Sequence, residues 1–116
     1  MSRGAIGRSG ESAAQDAYRR RGYRVLARNW RCRLGELDLV LERRGVLVFC
    51  EVKTRRGDRF GGGHDAVTWR KRAKLRGLAG AFLQETGLRP RAIRFDVASV
   101  ASRDGRSDVE VFEDAF

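Results

Sequence analysis

The stretch from Gly35 to Lys53 constrains this chain more than any other. It reads Gly-Glu-Leu-Asp-Leu-Val-Leu-Glu-Arg-Arg-Gly-Val-Leu-Val-Phe-Cys-Glu-Val-Lys. Two runs of β-formers flank Arg43-Arg44-Gly45, a hairpin signature. A turn centred between Arg44 and Gly45 fixes the register. Leu41 then faces Val48, Val40 faces Phe49 and Leu39 faces Cys50. Continuing outward, Asp38 faces Glu51, Leu37 faces Val52 and Glu36 faces Lys53. Side chains alternate across a strand. One face therefore holds Leu37, Leu39, Leu41, Val48, Cys50 and Val52, all apolar. The other begins with Val40 and Phe49 and ends with Asp38, Glu51, Glu36 and Lys53.

Packing does not explain that second face. Directly opposed residues have Cβ atoms about 5 Å apart, and like charges there repel. Asp38 against Glu51 is such a pair, and two close carboxylates either share a proton or bind a cation. A hard divalent ion held by carboxylates, water and substrate phosphate suits them. Lys53, two residues beyond Glu51 on the same face, is placed to hold a phosphate or steer a water. The plain alternative is a solvated face with a Glu36–Lys53 cross-strand pair. The register decides between them, because a one-residue slip puts Asp38 and Glu51 on opposite faces.

The rest of the chain supplies the partners of this hairpin. A helix is expected from Ser9-Gly10-Glu11 to about Arg21, with Ser9 as N-cap and Gly22 as stop. Residues 1–8 read as a mobile basic lead-in. Ala13, Ala14, Ala17 and Tyr18 form the buried stripe. Glu11 is either a first-turn acid favoured by the helix dipole or a third carboxylate of the site. Tyr23 to Trp30 reads as a strand, leading into strands of about Glu36–Glu42 and Val46–Lys53 in an antiparallel meander. The loop from Thr54 to His64 carries three arginines, Phe60 and three successive glycines, as a phosphate-contacting segment does. His64 is the only histidine, and a lone loop histidine is weak evidence for proton transfer. A second helix runs from about Asp65 or Thr68 to Thr86, with Leu75, Leu78, Ala79, Phe82 and Leu83 on one stripe. A strand over Arg91–Val100, a turn over Ser102–Ser107 and a short strand over Val109–Phe112 follow. The helix between the third and fourth strands implies a parallel crossover.

Charge points to a polyanion. The 116-residue chain carries a formal net charge of +10. Only Lys53, Lys71 and Lys74 among its 25 basic residues are lysines. Arginine presents a planar donor fork suited to phosphate. Arg70, Lys71, Arg72, Lys74 and Arg76 crowd the first half of the second helix, where local helix stability does not favour them. No apolar run is long enough for a membrane span and no signal-peptide pattern opens the sequence, so a cytoplasmic protein with no membrane partner is expected. Cys32 and Cys50 form no metal-ligand spacing, and Cys50 reads as a small core residue.

This order of elements, with its acidic cluster on the second and third strands, resembles the PD-(D/E)XK nuclease core. Asp38 matches that pattern's first acid and Glu51-Val52-Lys53 its (D/E)-X-K. Glu11 matches the helix acid of archaeal Holliday junction resolvases. The chain resembles more closely the small bacterial YraN family, itself similar to those resolvases. The resemblance is carried by Gly10-Glu11, Gly22-Tyr23, Ala27-Arg28-Asn29-Trp30, Gly35-Glu36-Leu37-Asp38-Leu39 and Phe49-Cys50-Glu51-Val52-Lys53-Thr54-Arg55. It continues through Phe60-Gly61, Ala66-Val67-Thr68 with Lys71, Arg94-Phe95-Asp96-Val97 and Ala115-Phe116.

It implies a single α/β domain, a mixed sheet of about five strands flanked by helices in the order αβββαββ. It also implies a Mg²⁺- or Mn²⁺-dependent DNA endonuclease, with branched or structured DNA as substrate. Asp38, Glu51, the Val52 carbonyl and Glu11 would bind metal, and Lys53 would position water. Glu36 would orient Lys53, while Arg55, Arg56, Arg59, Lys71 and Lys74 would hold the DNA backbone. By analogy with the resolvases, two copies in a homodimer would bring two sites to a junction. The rival expectations are a non-cutting nucleic-acid binding module on the same scaffold and a partner-binding protein whose basic face meets an acidic protein.

Overall fold

The central turn closes with the geometry that its length demands. Arg43 pairs with Val46, leaving a two-residue loop in which Arg44 has φ 53° and Gly45 φ 81°. Two successive left-handed residues match the twist of the strands they join. The Glu42 carboxylate accepts a 2.8 Å hydrogen bond from the Gly45 amide and braces the turn. The computed structural model describes residues 3–56 and 69–116. In chain order the elements are α1 (Arg3–Arg20), β1 (Arg24–Cys32), β2 (Gly35–Arg43), β3 (Val46–Arg56), α2 (Trp69–Thr86), β4 (Ala92–Arg103) and β5 (Arg106–Phe112). They form the expected order αβββαββ around one five-stranded sheet, β1-β2-β3-β4-β5. Only β3 and β4 run parallel, joined through α2. The other neighbours are antiparallel.

Both faces of the sheet are buried. α1 supplies Ala14 and Tyr18 to one layer, where they meet Leu39, Leu41, Val48, Cys50, Ala98 and Val100. Their small and flat side chains let the helix lie close to the strands. α2 supplies Leu75, Leu78, Ala79 and Phe82 to the other layer, against Leu37, Val40, Leu47 and Phe49. Cys50 is buried and free, and burial raises its thiol pKa well above the ordinary value. It is the inert core residue the sequence indicates.

Several boundaries differ from expectation. α1 begins at Arg3, so residues read as a lead-in belong to the helix and Ser9 is not its N-cap. A favourable capping residue marks where a helix can start and does not stop one that has begun earlier. Glu11 is consequently an interior helical residue. β5 starts at Arg106, because the left-handed pair Asp104 and Gly105 forms another two-residue turn. The two runs merge into one hairpin.

Leu37 sits with the α2 layer and Leu39 with the α1 layer. Two residues apart on a regular strand, they should share a face. β2 is therefore irregular at Asp38. Arg28 pairs with Leu39 and Trp30 with Leu37, so Asn29 of β1 lies across from Asp38. Asn29 has φ 51°, a conformation asparagine tolerates better than most residues.

A buried polar knot ties α1 to β4. Asp96 is fully buried. It accepts hydrogen bonds from the Tyr18 hydroxyl at 2.7 Å, from Arg94 Nε at 2.9 Å and from the Asp114 amide at 3.0 Å. Arg94 also donates to the Tyr23 hydroxyl at 2.9 Å. Burial raises the Tyr18 pKa and the Asp96 bond raises that of Arg94, so both stay protonated. Asp96→Ala leaves the Tyr18 hydroxyl unpaired in the core and removes the nearest counter-charge of Arg94, which keeps only the Tyr23 hydroxyl and Glu113 at 3.6 Å. Urea unfolding is expected to show a loss of about 3 kcal/mol, against well under 1 kcal/mol for the exposed Asp108→Ala. Equal losses at the two positions would contradict this reading.

Candidate functional site

The site begins where the hairpin ladder ends. β2 and β3 pair in the expected register from Arg43↔Val46 to Leu39↔Cys50. The ladder goes no further. The expected opposition of Asp38 to Glu51, Leu37 to Val52 and Glu36 to Lys53 is not formed. Instead Asp38 Oδ2 accepts a 2.8 Å hydrogen bond from the Val52 amide. A side chain thus takes a backbone donor that a continued ladder would have used, and the carboxylate sits in the opening between the strands.

Three carboxylates meet at that opening. One oxygen each of Glu11, Glu36 and Asp38 lies within 4.8 Å of the other two. Glu11 comes from α1, which approaches β3 closely because Gly10 has no side chain. A Cβ there would collide with the Thr54 hydroxyl. The Asn29 amide donates a 3.0 Å hydrogen bond to Glu11 Oε1 and orients it. Arg31 Nε lies 3.2 Å from Glu36 Oε2. Glu36 is therefore a member of the acidic cluster. No Glu36–Lys53 pair is found among the described residues, and its expected role of orienting Lys53 is not the one it holds. A hard divalent cation suits three carboxylate oxygens at this spacing.

Glu51 and Lys53 lie on the α2 side. Leu47 and Phe49 of β3 pack on α2, and the β3–β4 register is unbroken to Arg56. Alternation places Glu51, Lys53 and Arg55 on that same face. Lys71 from α2 reaches Glu51 Oε1 at 2.9 Å, and Lys53 lies 3.8 Å from the same oxygen. Lys71 was expected to hold DNA backbone; the structure places it against the candidate catalytic acid. Its position was readable from the helix, since Lys71 precedes Leu75 by four residues and Leu78 by seven on the core stripe.

The remaining expected contacts divide. Arg55 is inside β3 instead of in a loop. Its Nε is buried with no hydrogen-bond partner among the described residues. The stem of Lys74 crosses Gly35, where a Cβ would come within 2.9 Å of Lys74 Cε. Arg59, Phe60 and His64 lie outside the described residues, as does the side chain of Arg56. No described helix is long and apolar enough to cross a membrane.

Known proteins resemble this chain over nearly all of it. The model of the Uncharacterised protein family UPF0102 matches residues 10–100, a range that contains every described residue of the site. A UPF0102 protein of Frankia alni is 52% identical over 97 residues, 84% of this chain and 81% of the relative. One from Symbiobacterium thermophilum is 46% identical over 112 residues, 96% and 95% of the two chains. One from Mycolicibacterium gilvum is 50% identical over 107 residues, 90% and 87%.

Electrostatics give the cluster a measurable signature. Burial, then the Glu51 carboxylate, pushes the Asp38 carboxyl up to about 7 from an ordinary 3.8. Glu11 and Glu36 add to this, and the Val52 amide opposes it. Burial and the adjacent Lys71 hold Lys53 below an ordinary lysine. Burial opposes the Lys71 charge too, but the Lys53 amine and Glu51 outweigh it and raise its pKa. Between pH values of about 4 and 7 the folded protein therefore binds more protons at Asp38 than the unfolded chain does. Its contribution to stability falls as pH rises through that window. With chelator present, Asp38→Asn is expected to be more stable than wild type by about 1–2 kcal/mol at a pH of about 8. The advantage should shrink toward a pH of about 4. A pH-independent difference between the two unfolding curves would contradict the assignment.

Proposed function

The chain belongs to the uncharacterised protein family UPF0102, and we propose that it is a metal-dependent endonuclease that hydrolyses phosphodiester bonds in branched or otherwise structured DNA. The observation that carries this reading is the parted β2–β3 ladder. It gathers Glu11, Glu36 and Asp38 around a gap whose other border bears Glu51, Val52 and Lys53. The element order and acid positions also suit a nuclease core. Fold alone does not fix function, so the weight rests on the site.

The donor set fits Mg²⁺ or Mn²⁺. All its donors are oxygens, and burial together with the neighbouring carboxylates raises the Asp38 pKa, a strain that a bound cation would relieve. Asp38, Glu51 and the Val52 carbonyl would hold the ion, with Glu11 and Glu36 beside them. When bound, such an ion lowers the pKa of water and stabilises charge developing on a phosphoryl group. Lys53 directs its ammonium at the attacking water and the scissile phosphate, and offsets charge gained in the transition state. Arg55, on the same face of β3, would contact phosphate through the end of its guanidinium, since its Nε is buried. Lys74 would extend that contact along the backbone, giving affinity without sequence reading, and the resemblance implies the same role for Arg56 and Arg59. Two copies of the chain would present two sites to the two strands of a junction.

One observation favours a second reading, a nucleic-acid binding module that does not cut. Lys71 and Lys53 already neutralise Glu51 without a metal. Cleavage separates the readings where salt dependence does not, because both lose affinity with salt. With four-way, flapped and linear DNA and Mn²⁺, wild type is expected to cut. Glu51→Gln and Lys53→Ala should cut at least about a thousandfold more slowly while binding DNA within a few-fold of wild type. Equal cleavage by wild type and Glu51→Gln would exclude the proposed chemistry. No cleavage of any substrate would favour the binding module.

A further inference from the structure

Trp69 opens α2 with 84% of its surface exposed. The core stripe of this helix runs through Lys71, Leu75, Leu78 and Phe82, so packing does not require an indole at Trp69. Arg72, Ala73 and Arg76 follow it at spacings of three, four and seven residues, which places all four on one face. They line a shallow depression of about 350 Å³, a size found among small-ligand clefts. Ala73 leaves the centre of this face open beside the indole. The Arg76 guanidinium lies 5.3 Å from the centroid of the Phe95 ring, which anchors it at one side. Among the described residues no acid lines the depression, and none lies in the first turn of α2. A tryptophan flanked by fixed and mobile guanidinium groups is suited to one flat aromatic surface carrying negative charge on either side.

We infer that this face is a stacking platform for an unpaired DNA base, with Arg72 and Arg76 taking the flanking phosphates. The inference rests on the nucleic-acid reading above and narrows its substrate class to DNA with a splayed or single-stranded nucleotide. A base inside a duplex has both faces covered by its neighbours and cannot lie on the indole. An unpaired base can, and any base has the required π-face. The chain's charge of +10 complements the backbone that delivers it. The platform lies on the side of α2 opposite Lys71, whose ammonium reaches Glu51.

The test needs neither metal nor cleavage. Fluorescence anisotropy with chelator present compares oligothymidylate with a blunt duplex of equal length, for wild type, Trp69→Ala and Trp69→Phe. Trp69→Ala is expected to weaken oligothymidylate binding about tenfold and duplex binding less than about twofold. Trp69→Phe should keep most of the affinity. Wild-type indole emission should be quenched by oligothymidylate, and the quenching should vanish in Trp69→Ala. The remaining Trp30 is packed on Phe82 and bonded to Glu85, away from the platform. Unchanged affinity in Trp69→Ala, or equal loss on both probes, overturns the inference and leaves the nuclease reading untouched. A wild type that binds neither probe overturns the inference, and binding of four-way DNA then decides the nuclease reading separately. Binding with the expected selectivity but no cleavage sustains the platform and sinks only the chemistry.

Discussion

The site depends on one hydrogen bond, from the Val52 amide to the Asp38 carboxylate. A β-ladder normally satisfies every inner backbone donor with a carbonyl. Here a carboxylate takes that place, and the two central strands part beyond Leu39 and Cys50. The exchange has a cost, since a half-buried acid is drawn toward its neutral form among its neighbours. It also has a consequence that a regular sheet could not produce. The side chains of Asp38 and Glu51 belong to opposite sides of the sheet, yet both border one gap. α1 closes on that gap from one side with Glu11, and α2 from the other with Lys71.

The acids of the cluster press on one another and, with burial, raise the Asp38 pKa. Three acids crowd one side, while the two lysines sit across the gap on Glu51. Adding a divalent ion would relieve the first group and free the second to meet a phosphate. Under the proposed function, acids that hold a metal and lysines that meet a phosphate would form the arrangement hydrolysis of a phosphodiester requires. The surrounding structure holds it rigidly. Asn29 fixes Glu11, the Tyr18–Asp96–Arg94 knot fixes α1 on β4, and the apolar stripe of α2 fixes Lys71.

Much of this was legible in the residues, and the failures share a cause. The Arg44-Gly45 turn set the register as far as Cys50, and β-former runs with a helical connection set the sheet order. Strict alternation then extended the ladder past Cys50, because nothing in a hydrophobic pattern marks where two strands separate. The cue lay on β1, in an asparagine across from Asp38 that takes a left-handed conformation. Leu37 was assigned to the wrong layer for the same reason. Glu11 was recognised as a possible third carboxylate, while its actual partner Glu36 was given a cross-strand lysine it does not meet. Lys71 was read as a DNA-backbone contact, where the structure sets it on Glu51. Its phase on the apolar stripe distinguishes it from Arg70 and Arg72, which point outward. Local capping preferences misplaced the start of α1 because they weigh little beside helix propagation.

The most direct test is calorimetric titration of Mn²⁺ into wild type and Asp38→Asn at neutral pH, repeated in two buffers of different ionisation enthalpy. The cluster should bind Mn²⁺ in wild type and release protons from Asp38, so the measured heat should change with buffer. Asp38→Asn should remain folded and show neither the binding nor the buffer dependence. Equal Mn²⁺ binding by the two proteins, or no binding by wild type even with DNA present, would contradict the proposed metal centre.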